Sequence, residues 1–354
     1  MTNKAAAKSK ESKQANTIPV IGKKELLEGL DKARKDMKVA ALTSRQGRKM
    51  YDLIESSAEI EWDYLPTVLS PKKFFFPAEE VILEYQAQGA VQAKASAEPI
   101  LLFGIRPCDL NGIKIMGEAF AESKGDPNYL NKREQAIVIG LDCLKLCSED
   151  AFCYRVKSNY AEAGFDIFLT DLGEELAVHT ATPKGKKFVA QYLELKEGSK
   201  AALEKFEKDK KQNFSKVPPF KRLDEFPEIF EKSKDHIIWE EVGQQCLSCG
   251  SCIMVCPTCY CFDIADELAL NLKTGQRLRR WDACMLNSFA VVASGENFRH
   301  NPRERLFHRL NRKFNFLMKK HGQAVCVGCG RCVRACLADI SPKRIAKVLS
   351  GEKL

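Results

Sequence analysis

Two stretches of the chain, about 70 residues apart, carry cysteine at one and the same spacing. Cys246, Cys249, Cys252 and Cys256, followed by Pro257, spell C-x2-C-x2-C-x3-C-P, and Cys326, Cys329, Cys332 and Cys336 repeat the spacing in CVGCGRCVRAC. The first stretch, QQCLSCGSCIMVCPTCYCFD (244–263), holds six cysteines in twenty positions. Sulfur at that density admits a disulfide knot, a zinc site or an iron–sulfur cluster. Residues 1–17, MTNKAAAKSKESKQANT, are rich in lysine and alanine, without the apolar segment of an export signal. They read as a disordered basic tail on a cytoplasmic protein, and cytosolic thiols stay reduced, which removes the disulfide framework. Zinc takes four ligands in a tetrahedron, usually from separated C-x2-C pairs. Three cysteines at intervals of three instead wrap the backbone around one larger object. The spacing is the two-cluster ferredoxin run, in which the fourth cysteine of each run ligates the other [4Fe–4S] cluster.

That rule assigns Cys246, Cys249, Cys252 and Cys336 to one cluster, and Cys326, Cys329, Cys332 and Cys256 to a second. Sharing forces the two motifs to lie side by side. Between them, DIADELALNL and RRWDACMLNSFAVVASG contain few helix breakers. Residues 241–345 are therefore expected to form an α-helical ferredoxin-like domain with two [4Fe–4S] clusters, its insert 262–321 mostly helix. Leu337 replaces the second motif's proline, a residue that shapes the turn without being a ligand. Cys259, Cys261 and Cys284 are too few for a further cluster and are expected to line the cluster surroundings as small buried hydrophobes.

The N-terminal part, residues 18–195, has another pattern. GKKELLEGLDKARKDM (22–37) places Leu26, Leu30, Ala33 and Met37 at helical spacing. EPILLFGI (98–105) and EQAIVIGL (134–141) are short apolar runs suited to buried parallel strands, joined by a helix over 109–123 with Asp109 as its N-cap. FDIFLT and EELAVHTAT follow as a strand pair meeting at Asp171–Gly173. This predicts an α/β domain. Cys108 and Cys143 follow the two parallel strands directly, and ligands collect beyond the carboxyl ends of such strands. With Cys147 and Cys153 they are expected to hold a third [4Fe–4S] cluster. Residues 196–240, rich in Lys and Glu, are expected to be a linker.

The net charge of +9 is uneven: Lys273–Lys353 carries 18 Lys and Arg against 5 Asp and Glu, hence +13. No nucleic-acid module accompanies this charge, so it is assigned to cluster compensation and to a face for an acidic partner rather than to DNA. Arg331 and Arg334, inside the second motif, are expected to raise that cluster's potential. No run of about 18 apolar residues spans a membrane. No G-x-G-x-x-G or P-loop provides for flavin or nucleotide, and the five histidines show no ligand spacing.

CLSCGSCIMVCPTCYCFDIAD, RRWDACMLNSFAVVASGENFR and CVGCGRCVRAC, with FFFPAEEVILEY, LLFGIRPCDLNGI and FDIFLTDLGEE upstream, resemble one iron–sulfur subunit family over roughly residues 60–345. It includes the β subunit of sulfhydrogenase-type nickel–iron hydrogenases and the A subunit of anaerobic sulfite reductase. The resemblance implies a subunit that relays electrons beside a flavoprotein binding NAD(P)H, toward a catalytic subunit such as a hydrogenase or a sulfite reductase. Two other classes stay open at this stage. An N-terminal cluster held by only three cysteines would leave an iron free for substrate, and a redox sensor would use the basic face on an operator.

Overall fold

The computed structural model describes residues 16–86, 89–95 and 97–353. Most of the expected tail lies outside them, and Thr17 already opens a strand. In chain order the first part runs β1 (Thr17–Gly22), α1 (Lys23–Ala33), β2 (Lys38–Arg45), β3 (Arg48–Leu53), β4 (Glu79–Gln86), β5 (Val91–Ala93), β6 (Ile100–Ile105), α2 (Pro107–Ala121), α3 (Pro127–Gln135), β7 (Ala136–Leu141), β8 (Ile167–Asp171), β9 (Glu175–Thr180), α4 (Pro183–Tyr192) and β10 (Lys196–Ser199). Eight of these strands form one sheet in the order β10-β1-β9-β8-β7-β6-β2-β3. The pairs β2–β6, β6–β7 and β7–β8 are parallel and the flanking pairs antiparallel. The apolar runs ILLFGI and AIVIGL occupy the sheet centre because helices cover both faces. On one face lie Leu26, Leu30 and Ala33 of α1 with Phe188 of α4. On the other lie Ile113, Met116 and Phe120 of α2 with Tyr129 of α3.

The segment 196–240 is built into the fold. β10 pairs with β1 at the sheet edge. From α5 (Lys200–Ser215), Lys210 reaches back to Asp142 beyond β7 at 2.6 Å, with its side chain 1% exposed. α6 (Phe226–Lys232) and α7 (Ile238–Gln245) place Phe226, Phe230 and Trp239 in the core of the cysteine-rich region with Phe314. Apart from Lys210, the Lys/Glu composition reports the outer faces of these helices.

The cysteine-rich region continues through α8 (Ser251–Met254), β11 (Phe262–Leu268), β12 (Thr274–Trp281), α9 (Pro302–Asn311), a π turn (Arg312–Phe316), α10 (Leu317–His321), α11 (Arg331–Arg334) and α12 (Pro342–Leu349). The expectation of a mostly helical insert fails at 262–281. These residues form an antiparallel hairpin that pairs through β12 with β4, giving a second sheet ordered β11-β12-β4-β5. Asn271 makes the turn, its side chain accepting from the backbone N–H of Lys273 at 2.8 Å and of Thr274 at 3.3 Å. Cross-strand charge then overrides local helix preference. Arg277 pairs with Asp266 at 2.7 Å, Arg280 with Glu79 at 2.6 Å, and buried Arg279 with Glu80 and Asp126.

Asp109 is also placed differently from the expected N-cap. Arg106 occupies the cap of α2 and Asp109 lies in the first turn, 1% exposed. Its carboxylate receives both terminal nitrogens of Arg331, at 2.6 and 2.7 Å. Arg331 donates further to the Thr67 carbonyl at 2.9 Å and to the Tyr64 hydroxyl at 3.2 Å. A buried pair stripped of one member leaves an uncompensated charge, at a cost of about 3–5 kcal/mol. Arg331→Met should therefore lower thermal stability steeply, while the double variant Arg331→Met with Asp109→Leu recovers most of the loss. Equal melting temperatures for the single and double variants would refute the pairing.

Candidate metal centre

Each motif is a loop followed by one helical turn. Gly250 and Gly330 sit at φ +77° and +75°, the left-handed region that favours glycine, and turn the backbone into α8 and α11. The two turns lie against each other. Two cages result. One is lined by Cys246, Cys249 and Cys252 of the first motif and Cys336 of the second. The other is lined by Cys326, Cys329 and Cys332 of the second motif and Cys256 of the first. The structure thus brings together the two sets of four that the spacing rule grouped. Among the described residues no three His, Cys, Asp or Glu side chains gather tightly enough for a single ion.

Hydrogen bonds point at the sulfurs. The Ser248 and Ile340 N–H groups lie 3.4 Å from Cys246 Sγ and Cys336 Sγ. Cys259 donates its thiol to Cys256, which holds Cys256 well below the usual thiol range. Burial pushes Cys252, Cys326 and Cys332 up, and Cys329 up to about 11. Thiols in such surroundings ionise only when cations accompany them.

The cations come from α9 and the π turn after it. Arg305, Arg309 and Lys313 recur every four residues on one helix face, buried at 3%, 5% and 5% exposure. Arg305 turns to Asn287, two carbonyls and Ser248, while Arg309 and Lys313 meet the sulfurs. Arg309 lines both cages. Arg309 donates to Cys332, and its Nε is buried without a partner among the described residues. Lys313 donates to the Thr258 carbonyl at 2.9 Å and feels the sulfurs of Cys256, Cys259 and Cys326. Four thiols per cage, backbone donors and a buried cation with an open donor direction fit an anionic iron–sulfur cluster. Sequence reasoning missed Arg309 and Lys313, although their four-residue repeat within NPRERLFHRLNRKF was the available signal.

Arg331 lies near Cys329, but Asp109 answers its charge. Arg334 donates to the Pro66 carbonyl at 2.8 Å. Both tie the second motif to the N-terminal part.

The four N-terminal cysteines lie beyond the ends of β6 and β7. Burial pushes Cys143 up to about 11, with Arg106 opposing and Cys147 adding to the rise. Cys153 feels both Cys143 and Cys147, and buried Cys108 feels Cys153. This group adjoins the second cage. Cys108 and Cys153 pack with Cys329, and the Phe152 N–H donates to the Gly328 carbonyl at 2.6 Å. The approach is close enough to require glycine. A Cβ on Gly328 (φ +60°) would sit 2.6 Å from Cys153 N, and one on Gly330 2.7 Å from the Asp150 carbonyl carbon.

Residues 245–340 match the family model described as a 4Fe-4S dicluster domain. Over 299 residues, 83% of this chain and 87% of the relative, the chain is 31% identical to the sulfhydrogenase 2 subunit beta of Pyrococcus furiosus. No solved structure matches it. No helix among the described residues is long and apolar enough to cross a membrane. The chain therefore belongs to the family of the sulfhydrogenase β subunits, with a 4Fe-4S dicluster domain toward its C-terminus.

Proposed function

We propose that this chain is the electron-transfer subunit of a multi-subunit oxidoreductase, holding two [4Fe–4S] clusters in the cages and a third at the N-terminal cysteines. The observation that carries the reading is the pair of four-thiol cages sharing one buried guanidinium, Arg309. Bound there, such a cluster supplies one-electron redox chemistry, and four thiolates per cube leave no iron position for a reactant. The chain's own part is to hold the cubes, exclude water from the second cage and supply positive charge. The three sites follow one another through the molecule. Cys108, Cys143, Cys147 and Cys153 stand behind Cys329, and the second cage adjoins the first through Arg309. The first reaches the surface at Cys249, where Leu247 and Leu337 are 63% and 88% exposed. A redox partner docks at that end. The partners we infer are a flavoprotein binding NAD(P)H and a hydrogenase catalytic subunit, the relative's name favouring hydrogenase over sulfite reductase.

Iron counting on the anaerobically prepared chain tests the ligand sets. Three clusters give about 12 irons per chain, and Cys143→Ser should lower this toward about 8 while leaving the two dicluster signals intact. Zinc in place of iron, or no brown absorbance, sinks the reading.

Arg309→Gln withdraws one positive charge from both cages. Both dicluster potentials should fall together by roughly 60 mV, about 1.4 kcal/mol for a one-electron couple. Redox titration followed by electron paramagnetic resonance measures it. A shift confined to one cluster would contradict the shared placement.

A further inference from the structure

A third cavity, of about 260 Å³, opens at the foot of the β11–β12 hairpin beside the cages. Cys259, Cys261 and Cys284 line it, with Arg312, Lys313 and the apolar ring of Phe289. Cys259 is engaged with Cys256, but the relay has no use for Cys261 or Cys284. These two are free thiols that hydrogen-bond to each other. The hairpin closes where the Asp282 N–H meets the Cys261 carbonyl at 3.0 Å. That closure brings Cys284 round so that its thiol and its backbone N–H both donate to the Cys261 sulfur. Both line the cavity, Cys261 partly exposed and Cys284 buried. An accessible sulfur backed by a buried one is the geometry of an attacking and a resolving thiol.

The surroundings favour the thiolate on the accessible member. Cys284, then Lys313 and Arg312, hold Cys261 down to about 6, whereas Cys284 is pushed up. Arg312 is steadied by the Tyr260 hydroxyl at 2.9 Å and Lys313 by Thr258. His308 adds no charge, since burial and neighbouring arginines hold it at about 4. No Asp or Glu is among the cavity's lining residues. The electrostatics therefore suit an anionic guest. Cys284 also lies close enough to Cys252 to feel its sulfur, so the pair abuts the first cage.

We propose that Cys261 and Cys284 form a dithiol–disulfide couple that reduces small anionic disulfides entering this cavity. The Cys261 thiolate attacks one sulfur of the guest, breaking its S–S bond, releasing the first thiolate and forming a mixed disulfide. Cys284, giving up its proton, attacks Cys261 Sγ; the second thiolate leaves and a Cys261–Cys284 disulfide remains. Two electrons and one proton restore the Cys261 thiolate and the Cys284 thiol. Those electrons arrive singly from the cage beside Cys252, a step that rests on the electron-transfer reading above.

The test uses the full anaerobically prepared chain, reduced and freed of reductant, with oxidised glutathione as an anionic probe and cystamine as a cationic one. Cys284→Ser should trap glutathione on Cys261, located by peptide mass spectrometry, and the wild-type chain should show its cluster absorbance reoxidised by the probe. Cys261→Ser should slow that reoxidation about 100-fold, through loss of the attacking thiolate. Cystamine should react at least about tenfold more slowly than oxidised glutathione, since Arg312 and Lys313 repel it. No adduct on Cys261, or equal labelling of Cys249, overturns the thiol site. An adduct without cluster reoxidation in the wild-type chain overturns the coupling, and it does so separately from iron content, which is counted on the same sample.

Discussion

The last cysteine of each motif faces the first three of the other, and most of the molecule follows from that exchange. Cys256 has to stand among Cys326, Cys329 and Cys332, and Cys336 among Cys246, Cys249 and Cys252. The chain between the motifs must therefore leave the site and return to it. It leaves as the hairpin, which finds backbone partners on β4 of the N-terminal part. It returns as α9 and the π turn, which lay a cationic face across both cages. The outward and the return paths thus serve different ends, one anchoring and the other electrostatic.

Electrostatics set the second constraint. Moving a charge out of water costs several kcal/mol per ion unless a partner compensates it. Arg279, Lys210 and Arg331 meet this with carboxylates, Glu80, Asp142 and Asp109 respectively. Arg309 and Lys313 are equally buried, yet no carboxylate is among the groups that raise their pKa; sulfurs are. These five buried cations therefore sort into two kinds, those that hold elements together and those that face sulfur.

Legibility in the sequence followed the range of the interaction. The parallel strands at 100–105 and 136–141 were readable because a strand buried on both faces has to be apolar throughout. The two groups of four cysteines were readable because cluster ligation fixes spacing over ten residues. The hairpin was not, since DIADELALNL carries helix formers and its strand state depends on Glu79 and Glu80, almost 200 residues earlier. Asp109 was misplaced for the same reason. Its local position suggested a cap, while its partner Arg331 lies 222 residues away. Arg309 was visible in periodicity, but net charge drew attention to the surface instead.

The change of composition near residue 240 marks a boundary in sequence more than in mechanics. The loop of Cys143–Cys153 meets the second motif backbone to backbone, with the Ser158 hydroxyl donating to the Val327 carbonyl at 2.6 Å and Phe152 N–H to Gly328. Gly328 and Gly330 are placed where any side chain would strike residues 150–153. Side chains alone could hold two domains in contact at ordinary distance; removing the Cβ atoms brings the backbones nearer than that. The approach also packs Cys153 and Cys329 against the buried Cys108, Ile115, Val325 and Val327. It sets Cys153 beside Cys329, and tunnelling between redox centres weakens steeply with every added ångström. On the three-cluster proposal, that shortened gap is the step by which charge passes between the two halves of the chain.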